Sequence, residues 1–231
     1  MLLLNSNPIT SLLLFLSITT LTFADVQIVA LPNSCSSYPK YDNSTGIAGP
    51  WAVYSVANTP NSTIDGLRVS AETFTDDGVN VWGLTTLPKF PTYWSPNITL
   101  RCANSTLQAL VVPVTSTSPN QTTWFPLGIS TIENWQASLA LSLPPSIPAQ
   151  PYAHTTNGTR LPGTYLGVKG STTWFFKYNF GGNAGEYYLV RWGGGYDGLV
   201  EGGRKMKRQD DGGFPQLDDR DWTGWLRVGE E

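Results

Sequence analysis

The chain has 231 residues, a net charge of −3 and 17 acidic against 14 basic side chains, so no basic stripe fit for nucleic acid exists outside the run Arg204, Lys205, Lys207 and Arg208. One histidine and two cysteines are too few for a zinc site, and they remove Ser-His-Asp and Cys-His hydrolysis unless His154 is the base. Seventeen prolines spread along the chain exclude long helices.

Residues 1–24 read as a secretory signal peptide. Their apolar core, 11–23, carries Leu12, Leu13, Leu14, Phe15 and Leu16 in succession and is too short to span a bilayer. Small side chains at Thr22 and Ala24 place the cut before Asp25, although no Lys or Arg precedes the core. No later stretch reaches the roughly 18 apolar residues of a spanning helix. The expected product is a secreted, extracellular protein without a membrane partner.

Asn43, Asn61, Asn97, Asn104, Asn120 and Asn157 each begin an N-x-Ser/Thr sequon, and as glycosylation sites they must face solvent. Cys35 and Cys102 are the only cysteines, and in an oxidising compartment they are expected to form a disulfide bond. On the chain-entropy estimate such a bridge contributes at most about 4 kcal/mol.

Strand signals dominate residues 25–200: short Val-, Ile-, Thr- and aromatic-rich runs separated by Gly, Pro, Asn or Asp. The best are 51–57, 67–75, 79–84, 98–102, 107–114, 173–180 and 186–192. Trp174, Phe176 and Tyr178 share one face of the sixth run, Tyr187, Leu189 and Arg191 one face of the seventh, and 181–185 make a hairpin loop between them. The segment after Ser130 is ambiguous. Ser130 and Glu133 fit a capping box, with Ile132, Trp135, Leu139 and Leu143 at helical spacing, yet Ala137, Leu139, Leu141 and Leu143 also alternate as a strand would. The strand reading is preferred.

Charge density changes near Asp197. Residues 201–220 form a charged, Gly-rich stretch without periodicity, read as an exposed and disordered loop, and residues 221–231 a terminal strand that rejoins the domain through Trp222 and Leu226. Some ten strands and few helices predict one all-β domain, a jelly-roll-like β-sandwich, with a closed β-barrel as the alternative.

Each candidate chemistry has a plain structural counterpart. Gly193, Gly195 and Gly198, with Asp218 twenty residues on, mimic a dinucleotide-binding turn, but Gly202 and Gly203 stand where the helix must begin, so glycine turns are the better reading and no cofactor is expected. His154, beside Pro151 and the Asn157 sequon, reads as a loop residue rather than a buried base. Glu72, Asp76, Asp77, Glu133, Glu186 and Asp197 are the carboxylates with aromatic neighbours from which a glycosidase pair could be drawn, and nothing selects two of them. Asp218, Asp219 and Asp221 read as a solvated charge run rather than a calcium site. Lys207 and Arg208 form a dibasic site of the kind that processing proteases cut. Most of the nine tryptophans are expected in the core, with any exposed Trp or Tyr a platform for sugar.

Leu31-Pro32-Asn33-Ser34-Cys35 with Tyr38-Pro39, residues 45–50, Thr63-Ile64-Asp65-Gly66-Leu67, Leu100-Arg101-Cys102, and residues 152–174 around Pro162-Gly163-Thr164-Tyr165-Leu166-Gly167 resemble a family of secreted ascomycete (fungal) glycoproteins with no assigned activity. The resemblance covers most of the chain after the leader, implies secretion and paired cysteines, and lends no catalytic residues. Residues 201–220 stand as an insertion in it. The leading expectation is therefore a non-catalytic, monomeric extracellular or cell-wall protein that binds polysaccharide through exposed aromatics. The alternatives are a carboxylate-dependent glycoside hydrolase or lyase, and an effector or inhibitor that binds a host protein through a flat apolar patch.

Overall fold

A computed structural model describes residues 26–58, 62–76, 79–87, 98–111, 122–130, 138–141, 143, 146–181, 185–193 and 220–229. The elements are β1 (Val26–Ala30), a 3-10 turn (Cys35–Ser37), β2 (Tyr41–Asp42), β3 (Ile47–Ala57), β4 (Val69–Asp76), β5 (Val79–Thr86), β6 (Thr99–Ala103) and β7 (Thr106–Val111). They continue as β8 (Thr123–Ser130), β9 (Leu139–Leu141), β10 (Ser146–Pro148), β11 (Gln150–Thr156), β12 (Thr159–Arg160), β13 (Thr164–Gly167), β14 (Trp174–Gly181), β15 (Gly185–Trp192) and β16 (Trp222–Gly229). All strand pairs are antiparallel, and the architecture is sandwich-like and all-β.

Two long strands serve both layers. The first part of β3 pairs with β6 through Ala48 and Trp51, its second part with β16 from Ala52 to Ala57, and the register shifts between Ala48 and Trp51. Gly49 sits at that shift, at φ +111° and so close to Leu100 O and the Trp51 ring that a Cβ would lie 3.1 to 3.2 Å from them. This is how a strand turns a sandwich corner. β8 changes partner at Pro126, from β7 to β9.

β14 and β15 pair along their whole length, from Trp174↔Trp192 to Gly181↔Gly185, as the alternation predicts. The core-facing row of β15 is Tyr188, Val190 and Trp192, set opposite Tyr178, Phe176 and Trp174. Leu139 to Leu141 is strand, which settles that part of the ambiguous segment, while Ser130 ends β8 and Glu133 lies outside the described residues. The terminal segment is a central strand: β16 has β3 on one edge and β13 and β14 on the other, with Leu226 fully buried and Trp222 packed on the core. Strands β1, β2, β8 and β10 to β13 carry no strand assignment from sequence; in β8, β10 and β11 it is Pro126, Pro148 and Pro151 that break the pattern strand recognition relies on.

Trp51 and Trp174 are both fully buried, and each keeps its indole N–H satisfied at 2.8 Å, on Pro39 O and Leu166 O. The Cys35–Cys102 disulfide is formed, with Cα atoms 5.2 Å apart, and ties the 3-10 turn to β6. Tight hairpins fit residues that tolerate positive φ: Asn104 and Ser105 (51° and 56°) between β6 and β7, and Asn157 and Gly158 (51° and 74°) between β11 and β12.

Candidate functional site

The disulfide holds Ser37, Tyr38 and Pro39 over the connection from β12 to β13, and between them lies an open groove of about 620 Å³. Arg160, Leu161, Pro162 and Thr164 form one side, and Val228 of β16 also lines it. Thr164 Oγ1 donates to Ser37 O at 3.3 Å across the groove, and Ser37 Oγ donates to Pro32 O at 2.6 Å. Tyr38 stacks on Trp51 with ring centroids 5.1 Å apart, and burial drives its phenol well above the usual tyrosine range, so it stays neutral. Arg160 is the exposed cation of this groove. An apolar floor with one guanidinium at the rim suits a ligand that has both C–H faces and oxygen acceptors.

His154 is not a loop residue. It is a fully buried residue of β11, its ring stacked on Tyr165 at 3.7 Å and 9° and edge-on to Trp225 at 4.8 Å. Nε2 is hydrogen-bonded to Thr172 Oγ1 at 2.8 Å, whereas Nδ1 has no partner. Burial lowers its pKa to about 4, so it is neutral at pH 7. The loop after β13 folds over this layer. Gly170 N donates to the Tyr152 hydroxyl at 2.9 Å, and a Cβ on Gly167 would lie 2.6 Å from the Tyr152 ring. His154 thus belongs to a packed aromatic layer, between Tyr165 and Trp225, and not to a loop. The missed signal is Tyr152 and His154 two residues apart, hidden by the flanking prolines and sequon.

Of the glycosidase candidates, only Glu72 and Glu186 have side chains among the described residues. Glu72 lies in the Ser70 row of β4, opposite Gly83, and Glu186 in the Tyr188 row of β15. Since Tyr188 pairs with Thr86 and Ser70 with Thr85, these rows project from opposite faces of the sheet, and the two carboxylates form no pair. Asp76 ends β4, while Asp77, Glu133 and Asp197 lie outside the described residues, as do Asp218, Asp219, Gly195, Gly198, Gly202 and Gly203. Gly193 donates its N–H to Thr173 O at 3.1 Å, and a side chain there would collide with the Phe175 ring, so close packing explains this glycine. Asp221 Oδ1 accepts from Tyr178 N at 2.7 Å and helps dock β16.

No tryptophan among the described residues is exposed, and Trp94 and Trp135 lie outside them. Among the described residues Tyr41 and Phe180 are exposed rings, and the half-buried Trp124 carries the Arg101 guanidinium 4.1 Å above its face. Asn43, Asn104 and Asn157 are exposed at turns, where a glycan has room. The leader 1–24, Asn61, Asn97, Asn120 and the basic run with Lys207 and Arg208 lie outside the described residues. From 201–220 only Arg220 is described, exposed and with its guanidinium 3.8 Å above the Tyr178 ring. No family model matches the chain, and no curated protein matches it either.

Proposed function

We propose that this is an exported, N-glycosylated, non-catalytic protein of the fungal extracellular space or cell wall that binds a saccharide in the groove between Pro39 and Pro162. The groove itself carries the reading: it is open, its floor is apolar, and the exposed Arg160 stands at its rim. Pro39, Leu161 and Pro162 accept the C–H face of a sugar ring, and the guanidinium donates to hydroxyl or carboxylate oxygens. The disulfide supports the reading by fixing one wall against the sheet before ligand arrives, which lowers the ordering cost of binding. Export is supported by the leader-like residues 1–24, the disulfide and the exposed turn positions of Asn43, Asn104 and Asn157. The ascomycete glycoprotein family resembled by residues 31–35 and 152–174 is the proposed source.

The test is a glycan array with a polysaccharide pull-down on wild type and Arg160→Ala. The expected result is binding to at least one wall polysaccharide, weakened about tenfold by the substitution. Absence of binding to every fungal and plant polysaccharide ends the saccharide reading, and binding indifferent to Arg160→Ala removes it from this groove.

A further inference from the structure

β1 pairs with β11, from Val26↔Thr156 to Ala30↔Tyr152, and with no other described strand. Leu31 N donates to Pro151 O at 3.1 Å. In an antiparallel ladder hydrogen-bonding direction alternates, so Gln27, Val29 and Leu31 turn their backbone groups to β11 while Val26, Ile28 and Ala30 turn theirs outward.

Other marginal strands carry devices that discourage pairing. β2 and β12 have two residues each and bear Asp42 and Arg160, β10 contains Pro148, and β4 carries Glu72. β1 has none of these: its sequence VQIVA is uncharged and free of proline, with Ile28 39% and Val29 46% exposed. An edge of this composition is a template for another strand.

We propose that β1 pairs antiparallel with β1 of a second copy of this chain, about a two-fold axis through Ile28. That register sets Ile28 opposite its own copy and Val26 opposite Ala30, so every outward N–H and C=O of both strands finds a partner. A register shifted along the strand leaves part of that set unpaired. Gln27 then lies opposite Val29, the exposed Ile28 and Val29 are both covered, and no like charges meet. The contact is isologous, so it closes as a dimer and does not propagate. Five residues per strand bury far less than the ~1,200 Å² of a stable interface, so the dimer is weak, with a dissociation constant of about 10 µM to 1 mM.

The experiment uses the full chain secreted from a eukaryotic host. Sedimentation velocity up to about 1 mM should show a concentration-dependent dimer, and Ile28→Lys, which sets two cations face to face, should weaken it at least about tenfold. Cysteine variants guard against a misfolded lysine variant, because the described cysteines are both in the disulfide and an introduced thiol is reactive alone. Opposed residues in this register have Cα atoms about 5.5 Å apart, within disulfide reach, so Ile28→Cys should oxidise to a covalent dimer. Val29→Cys, facing Gln27 of the other copy, should remain mostly monomeric. A monomer throughout the concentration range, an association indifferent to Ile28→Lys, or cross-linking of Val29→Cys as fast as Ile28→Cys would each overturn the proposal.

Discussion

The sheet through β13, β16, β14 and β15 carries buried side chains on both faces, and the two faces differ in kind. One carries Leu166, Leu226, Trp174, Phe176, Val190 and Trp192 into the common core. The other carries Tyr165, His154, Phe175, Leu189 and Lys177, with the Thr85, Ser70 and Ser138 hydroxyls farther along. The apolar face responds to lost volume. The polar face responds to protons: burial lowers the Lys177 pKa, nearby Arg191 lowers it further, and Asp221 acts in the opposite direction. Each also leaves hydroxyl or ring atoms unpartnered, Thr86 Oγ1 and Trp192 Nε1 on the first, Thr85 Oγ1, Ser138 Oγ and His154 Nδ1 on the second. Burial alone therefore does not define a core, since the same depth is reached by a hydrophobic layer and by a titratable one.

Lost volume on the apolar face should give the largest effect. Trp174→Ala should lose about 3–5 kcal/mol in denaturant unfolding, since it opens a cavity and leaves Leu166 O without its donor. A loss under about 1 kcal/mol would mean that this face is not the tightly packed one.

The polar face should respond next, to pH. His154 titrates near its ordinary 6.5 when unfolded and at about 4 when folded, so between those values the unfolded chain holds more protons. Its contribution is complete above about pH 6.5, declines as pH falls, and is gone below about 4, a total of about 3 kcal/mol. His154→Gln should flatten the pH 4 to 6.5 slope of the unfolding midpoint relative to wild type. Parallel slopes in the two proteins would show that the buried ring does not govern acid sensitivity.

The smallest effect concerns a single hydroxyl. Thr85→Val keeps the shape and removes an unpartnered buried oxygen, so stability should stay level or rise by up to about 1 kcal/mol in thermal unfolding. A loss above about 1 kcal/mol would show that the oxygen is hydrogen-bonded in solution, for instance by a buried water.

The β14–β15 hairpin was legible because it is local: two alternating aromatic runs around a glycine-rich loop state their own pairing. Its position was not. Three consecutive buried rings, Trp174, Phe175 and Phe176, carry no mark of which faces the core and which the His154 layer. β11 was illegible for the opposite reason. Pro151 reads as a strand breaker, yet its carbonyl accepts from Leu31 N at the end of the β1 ladder, and only the return bond of that one pair is lost. The groove was hidden altogether, since residues 37–39, 160–164 and 228 meet only once the sheet is assembled.

Sequence by itself determined the all-β character, the single possible disulfide and the return of residues 222–228 to the domain. These follow from side-chain alternation and from there being two cysteines. Tertiary structure alone decided that His154 is buried and neutral, that Glu72 and Glu186 face apart, and that β1 pairs with β11 and with no other described strand. Each of these depends on which strand lies beside which. Antiparallel ladders join residues distant in the chain through backbone groups that every residue possesses, so the pairing partner leaves no signature in the side chains themselves.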